Sequence, residues 1–511
     1  MTVGPIATAC GDSPPSSSPG SGGDPDSDGA ADAQGGAEGA TNDADSGPVG
    51  EVSIPSRCGA SSTWVPTHYV TPTASGSGDG SMANPWTLTQ AMAQAASGNV
   101  VRVAPGIYTA PPSANRYTPA FNPANSGTPA APIVFVAEHP AVYSALDARS
   151  ELRNSSVATD GGSPTFGTNG GRHDVIWDGF YVDEAHAHST ADTGPVVVWD
   201  SQHIALCRNL IKGEPTNRQD NHTGFRFDSA SDSEAVGNEV FDFRVADLSV
   251  SPGWNQNYAA IMAYDTDRIL VANNYFHDNG TDVFIKGWHD IGLSNSGWVV
   301  RFNRCERARQ VAIQLAFVNP VAGNPRTTVS NNLIVDAEVG IFPHNGFDSD
   351  RAPSDFDFEN NTVVNSKSAF LGIYSATVGH LGLMNVNVRR NLVVGGPLAY
   401  YFSEISGDSL QLFKARGFDL NDNHFAGQPA VASVGNPNGG QYATPASFAA
   451  GTIFGAAGTG FERDGSQGDP LFVNAAAGDY HLGVGSPART AATNGGAVGC
   501  YVTGTETIGI P

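Results

Sequence analysis

Asparagine recurs along this chain at a spacing close to 29 residues, and that period leaves few folds open. Asn209, Asn238, Asn274, Asn303, Asn332, Asn361, Asn391 and Asn423 follow one another at 29, 36, 29, 29, 29, 30 and 32 residues. Each lies among alternating apolar residues, as in Val299-Val300-Arg301-Phe302-Asn303. A coil of strands returns to the same phase once per turn, so a near-constant spacing is the turn length. Three residues before each asparagine stand Leu206, Ala235, Val271, Val300, Val329, Phe358, Val388 and Leu420. Two after it stand Ile211, Val240, Phe276, Cys305, Ile334, Val363, Val393 and Phe425. Both columns should face an interior. Asparagine suits a bend because it tolerates left-handed backbone angles, and stacked copies can bond through their amides. A β-sandwich has no reason to repeat at this period. The expected fold is an all-β, single-stranded right-handed parallel β-helix, a solenoid of about ten turns ~4.8 Å apart. Asp178-Gly179-Phe180 reads as an earlier copy with glycine at the asparagine position.

Charge narrows the partners. The 511 residues carry 50 Asp and Glu against 26 Lys and Arg, a net charge of −24. That field repels nucleic acid. It also repels an anionic polysaccharide unless a basic patch or a bound Ca²⁺ reverses it locally. No apolar run approaches the ~18 residues of a membrane helix. The five cysteines, Cys10, Cys58, Cys207, Cys305 and Cys500, lack metal-site spacing, and their odd count leaves one without an internal partner. Cys207 and Cys305 fall three turns apart, ~14 Å along the axis, beyond disulfide reach.

Residues 1–56 hold nine Asp or Glu and no Lys or Arg. Rich in Gly, Ser, Pro and Asp, they cannot bury enough surface to repay their ordering, so a disordered linker is expected there and the folded domain at 57–511. The start, Ile6-Ala7-Thr8-Ala9-Cys10-Gly11, resembles the end of a bacterial lipoprotein signal, although only nine residues precede Cys10 and none is basic. The resemblance implies lipidation at Cys10 and an extracellular or cell-surface bacterial protein.

The ends of the solenoid carry their own patterns. Tyr69 to Tyr108 reads as an extended segment, a Gly/Ser turn, Asn84-Pro85-Trp86, a helix at Leu88–Ala96 and the strand Val100–Val103. A helix there would cap the first open edge. Near the far end stand Gly468-Asp469-Pro470-Leu471-Phe472-Val473, Asp479-Tyr480-His481-Leu482 and Gly485-Ser486-Pro487-Ala488. Both stretches resemble the opening and closing segments of bacterial right-handed β-helix proteins, the superfamily of the pectate, alginate and chondroitin lyases. The resemblance covers roughly residues 65–500. It speaks to fold, since fold does not fix function.

Each turn holds another strand: Thr223–Ser229, Ala259–Asp265, Thr281–Gly287, Gln310–Ala316, Val339–Asn345 and Ala369–Ser375. With Phe225, Ile261, Val283, Val311, Ile341 and Leu371 inward, alternation puts Asp228, Tyr264, Lys286, Gln314, His344 and Tyr374 in one outward column. A neighbouring column starts Arg226, Met262, Phe284, Ala312, Phe342. The longer spacing between Asn238 and Asn274 adds Val245–Tyr258, with Trp254, as a wall beside the column. Aromatic walls beside a polar floor suit sugar rings, so Arg226, Trp254, Trp288, His289 and Gln314 are candidate substrate-binding residues.

Lys286 is the sharpest candidate, one of only four lysines in the chain. Arg301, Arg304, Arg307 and Arg309 form the densest basic stretch nearby. β-Elimination of a uronic acid needs a base for the C5 proton and cations for the enolate. In β-helix alginate and chondroitin lyases a Lys base is followed about one turn later by a catalytic Arg. The resemblance therefore implies Lys286 as base, Arg307 or Arg309 as charge stabiliser, and Tyr264 or His344 as acid. Asp228, Asp265 and Asp282 are candidate Ca²⁺ ligands from adjacent turns. The Gly-His-Gly and paired-Asp motifs of β-helix polygalacturonases are absent, as is the Arg-x-Pro-x-x-Arg segment of pectate lyases. Two functions stay open: an exported, monomeric lyase of a uronate polysaccharide, or a non-catalytic surface protein that binds glycan or acts as a spacer.

Overall fold

The computed structural model describes residues 56–510 except 60–63, 111–114, 116, 155–163, 188–193, 217–220, 248, 250–256, 287–294, 317–324, 345–353, 375–383, 404–413, 416, 435–439 and 453–457. Cys10 and the acidic segment lie outside the described residues. Each full turn lays down three short strands. In one turn Tyr258–Tyr264 leads, Leu270–Ala272 follows in the middle and Tyr275–His277 trails. Among the described residues nine turns carry all three, from Phe166–Thr168 to His424–Ala426. Successive turns pair in parallel, and the trailing strands stack into one twelve-stranded sheet. The chain is a right-handed parallel β-helix.

Both apolar columns read from the sequence are buried in one continuous core. The leading strands follow a different rule from simple alternation. Ala260 and Ile261, Ala312 and Ile313, Phe370 and Leu371, and Ala399 and Tyr400 all enter that core as neighbours. Two consecutive inward side chains require a bend in the strand, because a straight strand alternates faces.

The asparagines sit at the corner between middle and trailing strands and are fully buried. From Asn238 onward each side-chain oxygen accepts the backbone N–H and the amide N–H of the asparagine one turn earlier. Asn303 gives Asn332 both bonds, at 3.0 and 2.9 Å, and Asn332 gives Asn361 both, at 3.1 and 2.9 Å. The remaining amide hydrogen of Asn332 goes back to the Val300 carbonyl at 2.9 Å. This directed chain ends on Glu462, whose carboxylate accepts from Asn423 at 2.7 Å and from the Tyr400 hydroxyl at 2.6 Å.

The ladder asparagines do not take the left-handed angles expected of them. The residue before each one does: Arg208, Gly237, Asn273, Phe302, Asn331, Asn360, Arg390 and Asp422 have φ between 50° and 70°. Asparagine is needed for its side-chain amide, which both accepts and donates. The earlier copy is accordingly shifted: Gly179 is the left-handed residue (φ 86°), and Phe180 stands at the asparagine position, its N–H donating to Asn209.

A helix forms at Leu88–Gln94, opened by a Thr87/Gln90 capping box, and sends Leu88, Ala91 and Met92 into the core. Cys58 bonds Cys207, closing 149 residues, and places Cys58 and Trp64 over Val134, Val136, Ile176 and Ala205 on the outside of the middle strands. The C-terminal segment doubles back over the trailing sheet. Tyr480, Cys500 and Tyr501 cover Leu333, Val335 and Val364 there. Among the described residues Cys305 and Cys500 are buried thiols. The outer side of the leading strands is left as the face with a distinct chemistry.

Candidate functional site

The bend makes the outer side of the leading strands concave. Ala259, ahead of the bend, packs with Met262, Tyr264 and Phe284 beyond it. Val311 and Val339 pack likewise with Phe342. The result is a furrow along the solenoid axis in which Arg226, Asp228, Met262, Tyr264 and Phe284 are buried and Lys286 is half-buried.

Register fixes who neighbours whom. Trp199 pairs with Asp228, and Asp228 with Tyr264. Lys286 follows Ile285, the partner of Ala263, so it lies beside Tyr264. The parallel row runs Val197, Arg226, Met262, Phe284, Gln314, Phe342. Gln314 therefore belongs to the Arg226 row, and Ala316 takes the place beside His344. The inward residue of that strand is Ile313 rather than Val311. Val311-Ala312-Ile313 is apolar throughout, so alternation could not place it, whereas the bend does.

Tyr264 is the centre of the floor. The Arg226 guanidinium lies 4.9 Å from its ring centroid and the Lys286 ammonium 5.7 Å. Arg226 also covers Trp199 at 5.3 Å, with the Tyr117 ring tilted against Trp199 at 4.2 Å. Its Nη2 donates to Asp228 at 2.8 Å, so that charge is largely paired. Lys286 differs: it donates to the amide oxygen of Asn257 at 2.9 Å and lies 5.7 Å from the Phe284 ring, with no carboxylate in ion-pair reach among the described residues. The Tyr264 hydroxyl meets the side-chain oxygen of Asn221 at 3.4 Å.

Other expected members lie elsewhere. Arg307 occupies the corner after a trailing strand, with φ 58°, and forks onto Asp278 at 2.9 and 2.7 Å while also reaching Glu306. These carboxylates raise its pKa further, Asp278 first, and the guanidinium in turn holds Asp278 down at about 2. Arg309 lies on the same corner, seven residues before Ala316, the register partner of His344. Asp278 and Glu306 hold the Arg307 guanidinium at that corner rather than beside Lys286. Burial lowers the Arg309 guanidinium from its usual range, and Arg244 adds to this.

The three aspartates do not come together as a calcium site. Asp228 is held by Arg226, and Asp265 ends its strand in a left-handed conformation. Asp282 points into the core at the position of Ala260 and Ala312, fully buried, accepting from the Asn279 amide at 3.0 Å. Burial pushes its carboxyl up to about 7. A hard cation needs several oxygens converging from one side, and this donor set does not fit it. The backbone of His344 continues the Lys286 row; its side chain, Trp254, Trp288 and His289 lie outside the described residues.

The sequence reading missed Trp199, Asn221 and Asn257. Subtracting one period from Asp228 would have found Trp199. The two asparagines are reachable only through the bend.

No protein-family model matches the chain, and no curated protein matches it. Among solved structures it is similar to the pectate lyase Pel9A, at 13% identity over 85% of this chain and 96% of that one, with a TM-score of 0.42. It is also similar to XylC in complex with xylose, at 11% identity over 80% and 87% of the chains and a TM-score of 0.41. A rhamnogalacturonan lyase follows at 13% over 73% and 86%, with a TM-score of 0.37.

Proposed function

We propose that this chain is an exported polysaccharide lyase that binds a uronate-containing polymer along the leading-strand groove and cleaves it by β-elimination. The observation that carries the reading is Lys286: a half-buried ammonium against two aromatic rings, bonded to a neutral amide, in a protein of net charge −24. Such a cation suits a sugar carboxylate; after losing one proton to solvent the amine still has an N–H for Asn257 and offers its lone pair to the C5–H proton. In that step the proton passes to Nζ and its electrons form the C4=C5 bond. The C4–O4 bond breaks, and the leaving oxygen takes a proton from the Tyr264 hydroxyl. Arg226, on the other side of Tyr264, takes the electrostatic part, since Arg307 is engaged by Asp278 and Glu306. The Cys58–Cys207 disulfide supports an oxidising compartment. Among the described residues no helix is long and apolar enough to cross a membrane.

The test is incubation with alginate, polygalacturonate and chondroitin, following absorbance of the unsaturated product. The reading requires product from at least one polymer and its loss in Lys286→Ala. The Arg226–Asp228 pairing favours a second reading, a non-catalytic glycan-binding groove, which predicts retention on the polymer without product.

A further inference from the structure

Two hydrogen bonds in the groove share one construction. Tyr264 meets the side-chain oxygen of Asn221, and Lys286 that of Asn257. Tyr264 stands in register with Asp228, seven residues beyond Asn221. Lys286 stands beside Tyr264, seven residues beyond Asn257. The same offset thus recurs in successive turns. Each asparagine stands just ahead of a leading strand and reaches across its bend to the far end of the next one. Asn257 is itself fixed, since its backbone oxygen accepts the His222 N–H at 2.8 Å. Both brackets are amides. An amide oxygen holds an ammonium in place without cancelling its charge, whereas a carboxylate would do both.

We propose that Asn257 is a positioning residue: its amide oxygen pins the Lys286 ammonium at the groove floor, beside Tyr264 and Phe284, and leaves the positive charge for an anionic sugar. This rests on the reading of the groove as a uronate site.

Lysine occurs only at 212, 286, 367 and 414, so reductive ¹³C-methylation of the full chain gives four dimethyl-lysine signals, assignable by single Lys→Arg variants. Dimethyl-lysine keeps its charge and one N–H. In Asn257→Ala the Lys286 signal should move and the other three stay. Retention on immobilised polygalacturonate, alginate or chondroitin should fall roughly tenfold, the effect of about 1.4 kcal/mol. In Asn257→Asp the ammonium stays anchored but paired, so retention should fall although the groove is intact. An unmoved Lys286 signal in Asn257→Ala overturns the positioning role, and undiminished retention in Asn257→Asp overturns the argument from a neutral acceptor. If the unaltered protein retains no polyanion, the uronate reading falls, while the lysine signals still decide whether Asn257 positions Lys286.

Discussion

The Lys286 ammonium stands 5.7 Å from the ring centroid of Tyr264, one turn away along the solenoid. That pair, with Arg226 on the same ring, separates the groove from the ion-paired trailing face. Lys286→Ala should lower turnover by about 10²–10⁴, the usual weight of a general base, with little change in melting temperature. Arg226→Ala should also lose activity. Arg307→Ala should keep it and cost about 1 kcal/mol, because its forked pair with Asp278 is exposed and that with Glu306 is one Arg304 also serves. Initial rates of product absorbance for the three variants test this, and an inactive but folded Arg307→Ala would return the charge role to the trailing corner.

The asparagine ladder should dominate stability in the middle turns. Asn332 accepts twice from Asn303 and donates to Val300 and Asn361, all out of water. Asn332→Ala strands several buried groups at about 1–3 kcal/mol each. Urea unfolding should show a loss of about 3 kcal/mol or more, far beyond that of an alanine at exposed Arg307.

Stability should fall as pH rises toward neutrality. Burial lifts the carboxyls of Asp282 and Glu462 up to about 7 from ordinary values of 3.8 and 4.5. A carboxyl raised in the folded state binds its proton more tightly there than in the unfolded chain. Its contribution is therefore full below the unfolded value and is lost as pH climbs through about 7. Melting temperatures should drop between pH 5 and pH 8, and Asp282→Asn with Glu462→Gln should flatten the slope. Asp278, held down at about 2, acts only at the acid end.

The Cys58–Cys207 bond should matter more than its place near the start of the domain suggests. It closes 149 residues, a loop for which chain entropy gives about 5 kcal/mol. Cys58→Ser should lower the denaturation midpoint and bare the apolar patch of Val134, Val136 and Ile176, read as increased dye binding by the folded protein.

Sequence by itself determined the solenoid. A period near 29 residues and two apolar columns around Asn209–Asn423 are local and repetitive, so each turn restates them, and the buried columns match residue for residue. It also found the leading strands, with Lys286 and Tyr264 as neighbours. It could not find the bend. Two inward residues in succession, such as Ala312 and Ile313, look like any apolar run, and only packing against the turns on either side decides which faces in. That single feature moved Gln314 to the other row and turned Asp282 into the core. It also folded the strand so that Asn257 meets Lys286. Arg307 was misplaced for the same kind of reason: nearness in sequence to Lys286 spans a corner of the coil, and beyond that corner Asp278 and Glu306 hold the guanidinium on another face.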